Sequence, residues 1–218
     1  MLDLRQLLIY HAGSRSAKRS MLARLESCMF EFWLLLCAYL LGSFSSAVLV
    51  CRAMGLPDPR QSGSGNPGAT NVLRTGGREA AILTLAGDLG KGSLAVLLAL
   101  LSGASLQLQG WCLLAAVCGH LFPFFSSLRG GKGVATTLGA MLVLHWPLAL
   151  IQLACWGILF GLSRISSLAS IATALLTPLL CLLLLPELIW SISITCLLLL
   201  LRHSSNLRKL ISGREHRF

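Results

Sequence analysis

Long apolar runs, broken by short polar clusters, set the pattern of this chain. Apolar stretches occupy roughly residues 30–52, 79–101, 110–126, 134–145, 147–163, 168–185 and 188–201. Most are near the length that crosses a bilayer as a helix. The run 134–163 is too long for one ordinary span, and His145-Trp146-Pro147 interrupts it; proline ends or kinks a helix, so it is read as two spans. The pattern predicts an all-α, polytopic bundle of seven transmembrane helices. Polar segments join them at 53–78, 102–109, 127–133, 164–167 and 186–187, followed by a tail from Arg202. Gly42, Ser43, Ser45 and Ser46 in the first run are small residues that allow close helix packing.

Charge tests the count. With seven spans, the segments 53–78, 127–133, 164–167 and the tail share one face. Every Arg and Lys after residue 24 lies there, except Lys91 inside its helix. The opposite loops carry neither, so the basic face is expected in the cytoplasm, with the carboxyl terminus inside and the amino terminus outside. Composition agrees: 55% hydrophobic and 12% charged residues, with mean hydropathy +0.76, exclude an ordinary soluble domain. The net charge of +10 is scattered between spans, which suits anionic lipid head groups better than nucleic acid. The eight cysteines form no C-x-x-C and mostly lie in apolar runs, so they read as small buried hydrophobes.

Residues 1–28 fit the pattern poorly. The arm is basic through Arg5, Arg15, Lys18, Arg19 and Arg24, with an apolar patch at Leu7–Tyr10, and it matches neither a signal peptide nor a span. It is expected to be disordered or a start-site extension, with Met21 or Met29 as alternative starts to Met1. Residues 29–218 are read as a single membrane domain.

The candidate chemistry sits in the polar clusters of the basic face. Gly63-Ser64-Gly65-Asn66-Pro67-Gly68-Ala69-Thr70-Asn71 has no side chain of a lipid-facing helix. It is either an ordinary polar loop or an anion cradle built from backbone N–H groups and short side chains, with Arg74 three residues on. Arg129-Gly130-Gly131-Lys132-Gly133 is a second glycine-rich basic loop; it is not a P-loop, because Lys132 is followed by glycine. Arg74, Lys132, Arg202 and Arg208 are candidates to neutralise a phosphate dianion. His203 and Asn206 share a helical face; the histidine reads as an acid/base group or as a polar cap. His120 carries the same two readings, and His145, on the opposite face, reads as structural. Asp88 and Lys91 also share a helical face inside a span, as a structural ion pair or as part of the chemistry. No nucleophile elbow, HExxH or His-x-x-x-x-Asp motif is present, and the histidines do not group as metal ligands.

Five motifs in order, GSGNPGATNVLR (63–74), DLGKG (88–92), GHLFPFFSSLRGGKGVAT (119–136), SLASI (167–171) and RHSSNLRKLISGRE (202–215), resemble the bacterial integral-membrane glycerol-3-phosphate acyltransferases that use acyl-phosphate. The resemblance covers about residues 35–218. It implies a seven-helix bundle in the cell inner membrane with a cytoplasmic active site. The implied reaction is transfer of a fatty acyl group from acyl-phosphate to the 1-hydroxyl of glycerol 3-phosphate, giving lysophosphatidic acid and phosphate. No cofactor or metal is implied; membrane lipids and the soluble enzyme that makes acyl-phosphate are the implied partners. Matched by motif, Ser64, Arg74, Lys132, Ser167, His203 and Asn206 form the catalytic set. Gly63, Gly65, Asn66, Gly68, Thr70, Asn71, Gly130, Gly131, Gly133 and Arg202 are expected to bind substrate phosphate, supported by Asp88, Lys91, His120, Ser170 and Glu215. The chain departs from the family pattern at Gly42-Ser43-Phe44-Ser45, Pro67 and Gly90. A small membrane transporter or binding protein for a phosphorylated metabolite is the competing reading. It would need polar residues along a path through the bundle, and the outer half of every span is almost wholly apolar.

Overall fold

A computed structural model describes residues 4–126 and 128–218, with side chains described from residue 21 onward except that of Ser126. Every element among the described residues is helical: α1 (Leu4–Gly42), α2 (Ser46–Ala53), α3 (Ala69–Thr75), α4 (Gly77–Leu101), α5 (Leu106–Leu121), α6 (Val134–Leu144), α7 (Trp146–Ser163), α8 (Ser166–Leu184), α9 (Ile189–Arg202) and α10 (Ser204–Ile211). Two compact units divide the chain at Leu34 and Leu35. The first is the amino-terminal part of α1, which is helical from Leu4. Its Leu, Ala, Arg, Met and Glu residues are strong helix formers, and no proline interrupts residues 4–42.

The second unit is the bundle. Across the described residues of both units, four helices are long and apolar enough to span a membrane: the Met21–Gly42 part of α1, α4, α7 and α8; α9 with α10, bent by 56°, makes a fifth. At 16 and 11 residues, α5 and α6 are shorter than a full span. The first predicted span, 30–52, is not one helix. It breaks after Gly42, where Gly42 and Gly119 bring α1 and α5 so close that a Cβ on either would overlap the partner backbone. The freed Phe44 carbonyl accepts from Lys91 Nζ at 2.8 Å, and Ser43 Oγ donates to the Tyr39 carbonyl. The 53–78 segment, expected as loop, contains α3.

The tightest helix pairing is α4 against α6. A Cβ at Gly92 would overlap the Thr136 carbonyl, one at Gly139 the Leu89 carbonyl, and Ser93 Oγ donates to Gly139 O at 2.7 Å. Lipid gives helices little hydrophobic reason to associate, so such backbone approach supplies the packing. It also fixes the start of α6, and therefore the glycine loop before it. The main core gathers Val96, Leu113, Val117, Met141, Leu148, Ala149, Cys181 and Ile192, all essentially inaccessible. Leu101, Leu162, Leu183 and Trp190 face outward, as a lipid-facing surface requires. All eight cysteines are free; four are buried, but Cys28 and Cys37 are exposed. His145 caps α7, its Nδ1 accepting from the Leu148 N–H at 3.2 Å.

Candidate active site

The sequence-distant polar clusters line one cleft of about 1220 Å³. Its walls come from the 64–74 segment, the 130–133 loop, the start of α8, the α9–α10 junction and the tail around Glu215. Of the predicted residues, Ser64, Gly65, Asn66, Gly68, Thr70, Asn71, Arg74, Asp88, His120, Gly130, Lys132, Gly133, Ser167, Ser170, Arg202, His203, Asn206 and Glu215 line it; Gly63, Gly131 and Lys91 lie behind the wall.

A chain of polar contacts crosses the head of the cleft. Lys132 Nζ donates to Asn206 Oδ1 at 2.6 Å, and Asn206 Nδ2 donates to Glu215 Oε1 at 2.8 Å. Ser167 Oγ donates to the same Glu215 oxygen at 3.0 Å. Burial above all pulls the Lys132 ammonium down to about 8; Glu215 opposes this, and Lys209, Arg74 and Arg202 reinforce it. Arg74, in the last turn of α3, holds its guanidinium over the Phe218 ring, 4.5 Å from the centroid. Burial lowers its pKa too, with Glu215 again opposing.

His203 is almost fully buried at the α9–α10 junction. Its Nδ1 lies 2.8 Å from the Leu199 carbonyl oxygen, which can only accept, so Nδ1 carries the hydrogen. Burial, then Lys132, pushes its pKa to about 4, so near neutrality the ring is uncharged and Nε2 offers a lone pair.

Several predicted binders are spent on building the site. Asn71 is inaccessible: Oδ1 accepts from the Ser64 N–H at 2.8 Å, and Nδ2 donates to the Pro59 and Ser62 carbonyls at 2.9 and 3.0 Å. No donor remains for a phosphate, so Asn71 is a staple of the loop. Gly63, at φ +61°, leaves room for that staple, since a Cβ there would overlap Asn71 Oδ1. Gly65 also has positive φ, whereas Gly68 is extended and precedes α3. Arg202 donates from Nε to Gly131 O at 3.1 Å and from Nη2 to Gly130 O at 2.6 Å, so it orders the second loop. Ser170 Oγ accepts from Trp156 Nε1 at 2.9 Å and donates to its own helix.

Asp88, Lys91 and His120 form a buried structural group. Asp88 Oδ1 is 3.0 Å from Lys91 Nζ and 3.6 Å from His120 Nδ1. His120 also contacts Thr136 Oγ1, and its carbonyl accepts from the Gly131 N–H at 3.2 Å. Asp88 and Lys91 thus form the expected ion pair, and the group touches both the α1–α2 break, through Lys91 and the Phe44 carbonyl, and the second glycine loop, through His120.

Some lining residues had no visible signal in the sequence. Ser166 Oγ lies 3.3 Å from Thr70 Oγ1, and Phe218 covers Arg74 while its N–H donates to the Arg164 carbonyl at 2.9 Å. The cleft then continues as an apolar channel past Leu138, Leu142, Leu153, Trp156, Phe160 and Ala174.

Fold and cleft together define an all-α membrane protein whose cationic pocket opens onto an apolar channel, a shape suited to an anionic amphiphile. Residues 32–213 match the model of the glycerol-3-phosphate acyltransferase family. Glycerol-3-phosphate acyltransferases of Pseudomonas fluorescens and Pseudomonas putida are 54% and 52% identical over 189 residues, covering 86% of this chain and the whole of each relative. The crystal structure of PlsY (YgiH), an integral membrane glycerol 3-phosphate acyltransferase, superposes with a TM-score of 0.82 in its glycerol 3-phosphate form. Identity is 34%, over 86% of this chain and 95% of that one. Its lysophosphatidic acid form superposes with a TM-score of 0.80 at 33% identity. The chain belongs to the glycerol-3-phosphate acyltransferase family, which makes it an integral-membrane acyltransferase.

Proposed function

We propose that this protein transfers a fatty acyl group from acyl-phosphate to the 1-hydroxyl of sn-glycerol 3-phosphate, releasing 1-acyl-glycerol 3-phosphate and phosphate. One observation carries the reading: the Lys132–Asn206–Glu215–Ser167 network heads a cleft whose other end is an apolar channel. A phosphorylated head and a fatty tail fit that single space. Acyl-phosphate is a mixed anhydride with a good leaving group, so positioning and charge neutralisation suffice, without a covalent nucleophile.

Lys132 and Arg74 hold phosphate groups, with Ser64 and the backbone of the 63–71 segment as further donors. His203 Nε2 and Asn206 orient the glycerol phosphate, and Ser167 positions the reacting carbonyl. The 1-hydroxyl oxygen attacks the acyl carbon, the anhydride C–O bond breaks, and the hydroxyl proton passes to a phosphate oxygen of the donor. Glu215, which takes bonds from Ser167 and Asn206, holds both in register.

The seven runs cross the membrane with the amino terminus outside and the cleft facing the cytoplasm; the asymmetry of Arg and Lys supports this. In the inner membrane, such a site can draw on acyl-phosphate made by a soluble cytoplasmic enzyme. A transporter is disfavoured because the cleft stops within the bundle, above the packed core at Leu148, Ala149 and Cys181. Purified protein given palmitoyl-phosphate and labelled glycerol 3-phosphate is expected to form labelled lysophosphatidic acid without acyl-CoA. Product only when acyl-CoA is added would overturn the donor assignment.

A further inference from the structure

The channel below the polar head has a definite end. On α8 it is lined at Ser167, Ser170, Thr173, Ala174 and Thr177, a stripe at helical spacing, and at nothing beyond. On α7, running the other way, the lining stops at Gln152. These two end residues are bonded across the channel: Gln152 Nε2 donates to Thr177 Oγ1 at 3.1 Å, and Thr177 donates to the Thr173 carbonyl at 2.8 Å. Both are buried, at 6% and 2% exposure. The next residue on the α8 stripe, Cys181, is inaccessible in the core with Leu148 and Ala149.

We propose that the Gln152–Thr177 hydrogen bond is the floor of the acyl-chain channel and sets the chain length that the enzyme favours. The inference rests on the acyltransferase reading above. Ser167 and Thr177 are ten residues apart on one helix, about 15 Å at the usual rise. An extended hydrocarbon with bonds of about 1.5 Å at tetrahedral angles advances about 1.25 Å per carbon, so roughly twelve carbons fit between them. A chain of about thirteen carbons, its carbonyl at Ser167, ends at the crossbar, so a tetradecanoyl chain just reaches it. A longer one must bend out through the side of the channel that opens between the lipid-exposed Leu142 and Leu153. Membrane lipid is as apolar as the channel, so the selection comes from shape and packing and not from transfer out of water.

The test is competition between tetradecanoyl-phosphate and octadecanoyl-phosphate at fixed glycerol 3-phosphate, with wild type, Gln152→Ala and Thr177→Ser. Thr177→Ser keeps the hydroxyl partner and is expected to keep the wild-type product ratio. Gln152→Ala removes the crossbar and opens space toward Ala149. It is expected to raise the ratio of eighteen- to fourteen-carbon product about fivefold, below the full penalty of a closed pocket because the channel is open on one side. KM for glycerol 3-phosphate should stay within twofold. A folded, active Gln152→Ala whose ratio equals wild type overturns the floor. Wild type without acyl transfer from any acyl-phosphate overturns the function proposed above, so the two failures are distinct. Should Gln152→Ala not fold, Gln152→Ser, which shortens the side chain while keeping a hydroxyl, is read the same way: an unchanged ratio there also overturns the floor.

Discussion

Lys132 is where the residue scale decides most. A half-buried ammonium with a single side-chain partner is poised to take an anion, and its pKa of about 8 makes the site sensitive to alkali. The direction follows from the sign: a depressed pKa means that the proton leaves at lower pH than on a free lysine. kcat/KM is therefore expected to fall as pH rises through about 8. Lys132→Arg, with a guanidinium that stays charged, should remove that limb at reduced overall rate. His203 sits near 4, so no acid limb is expected between pH 5 and 7. Lys132→Ala should lose about 100-fold or more in turnover while remaining folded, the scale for removing one group that neutralises transition-state charge. Asn71 offers a contrast. Asn71→Ala strands the Pro59 and Ser62 carbonyls and the Ser64 N–H, and about 2 kcal/mol of stability should go with them. Thermal unfolding in detergent would record that, together with a higher KM. The sequence showed that both residues are polar and near a glycine turn. It did not show that one faces the cleft and the other faces its own loop, because that depends on where Pro59 and Ser62 return in space.

At the element scale, the DLGKG stretch shows how small residues place chemistry that they do not perform. Gly92 lets α4 lie against the first turn of α6, and the glycine loop of Lys132 enters α6 directly. Gly90, two residues earlier, has nothing within 4 Å of a Cβ, which explains why a bulkier residue is compatible there. Gly92→Leu is expected to destabilise the fold by at least about 3 kcal/mol and to abolish activity, whereas Gly90→Leu should be near neutral; thermal unfolding of the pair separates them. The helix break at Phe44 belongs to the same scale. Lys91 supplies the donor that an interrupted helix needs in an apolar setting, and it pairs with Asp88 on the same helix. Hydropathy alone did not find the break: the small residues Gly42, Ser43, Ser45 and Ser46 mark the place, but they read equally as helix-packing residues within one span.

For the whole molecule, the arrangement of Arg and Lys predicts which loops face which side. Gln61→Cys, on the basic face, is expected to react with a membrane-impermeant maleimide only after cells are permeabilised. Ser102→Cys, on the loop without basic residues, should react in intact cells, each measured against the parent with its own cysteines. Reversed labelling would overturn the proposed orientation. The convergence of the 64–74, 130–133, 167 and 202–215 segments on one cleft was legible, because reading the apolar runs as alternating spans expects them all at the same end of the bundle.

Sequence by itself determined the helical class, the membrane setting, the family, and the end of the bundle where the polar groups gather. Each follows from local hydropathy, charge or ordered motifs, which the chain states directly. Only the tertiary structure decided which of those polar groups face the cleft and which are consumed in holding it. The GSGNPGATN stretch became a stapled turn leading into α3, Arg202 a clamp on the second glycine loop, and Gln152 with Thr177 the end of the channel. The reason is that a hydrogen-bond donor has limited capacity, and who receives it is fixed by distance across the fold, not by spacing along the chain.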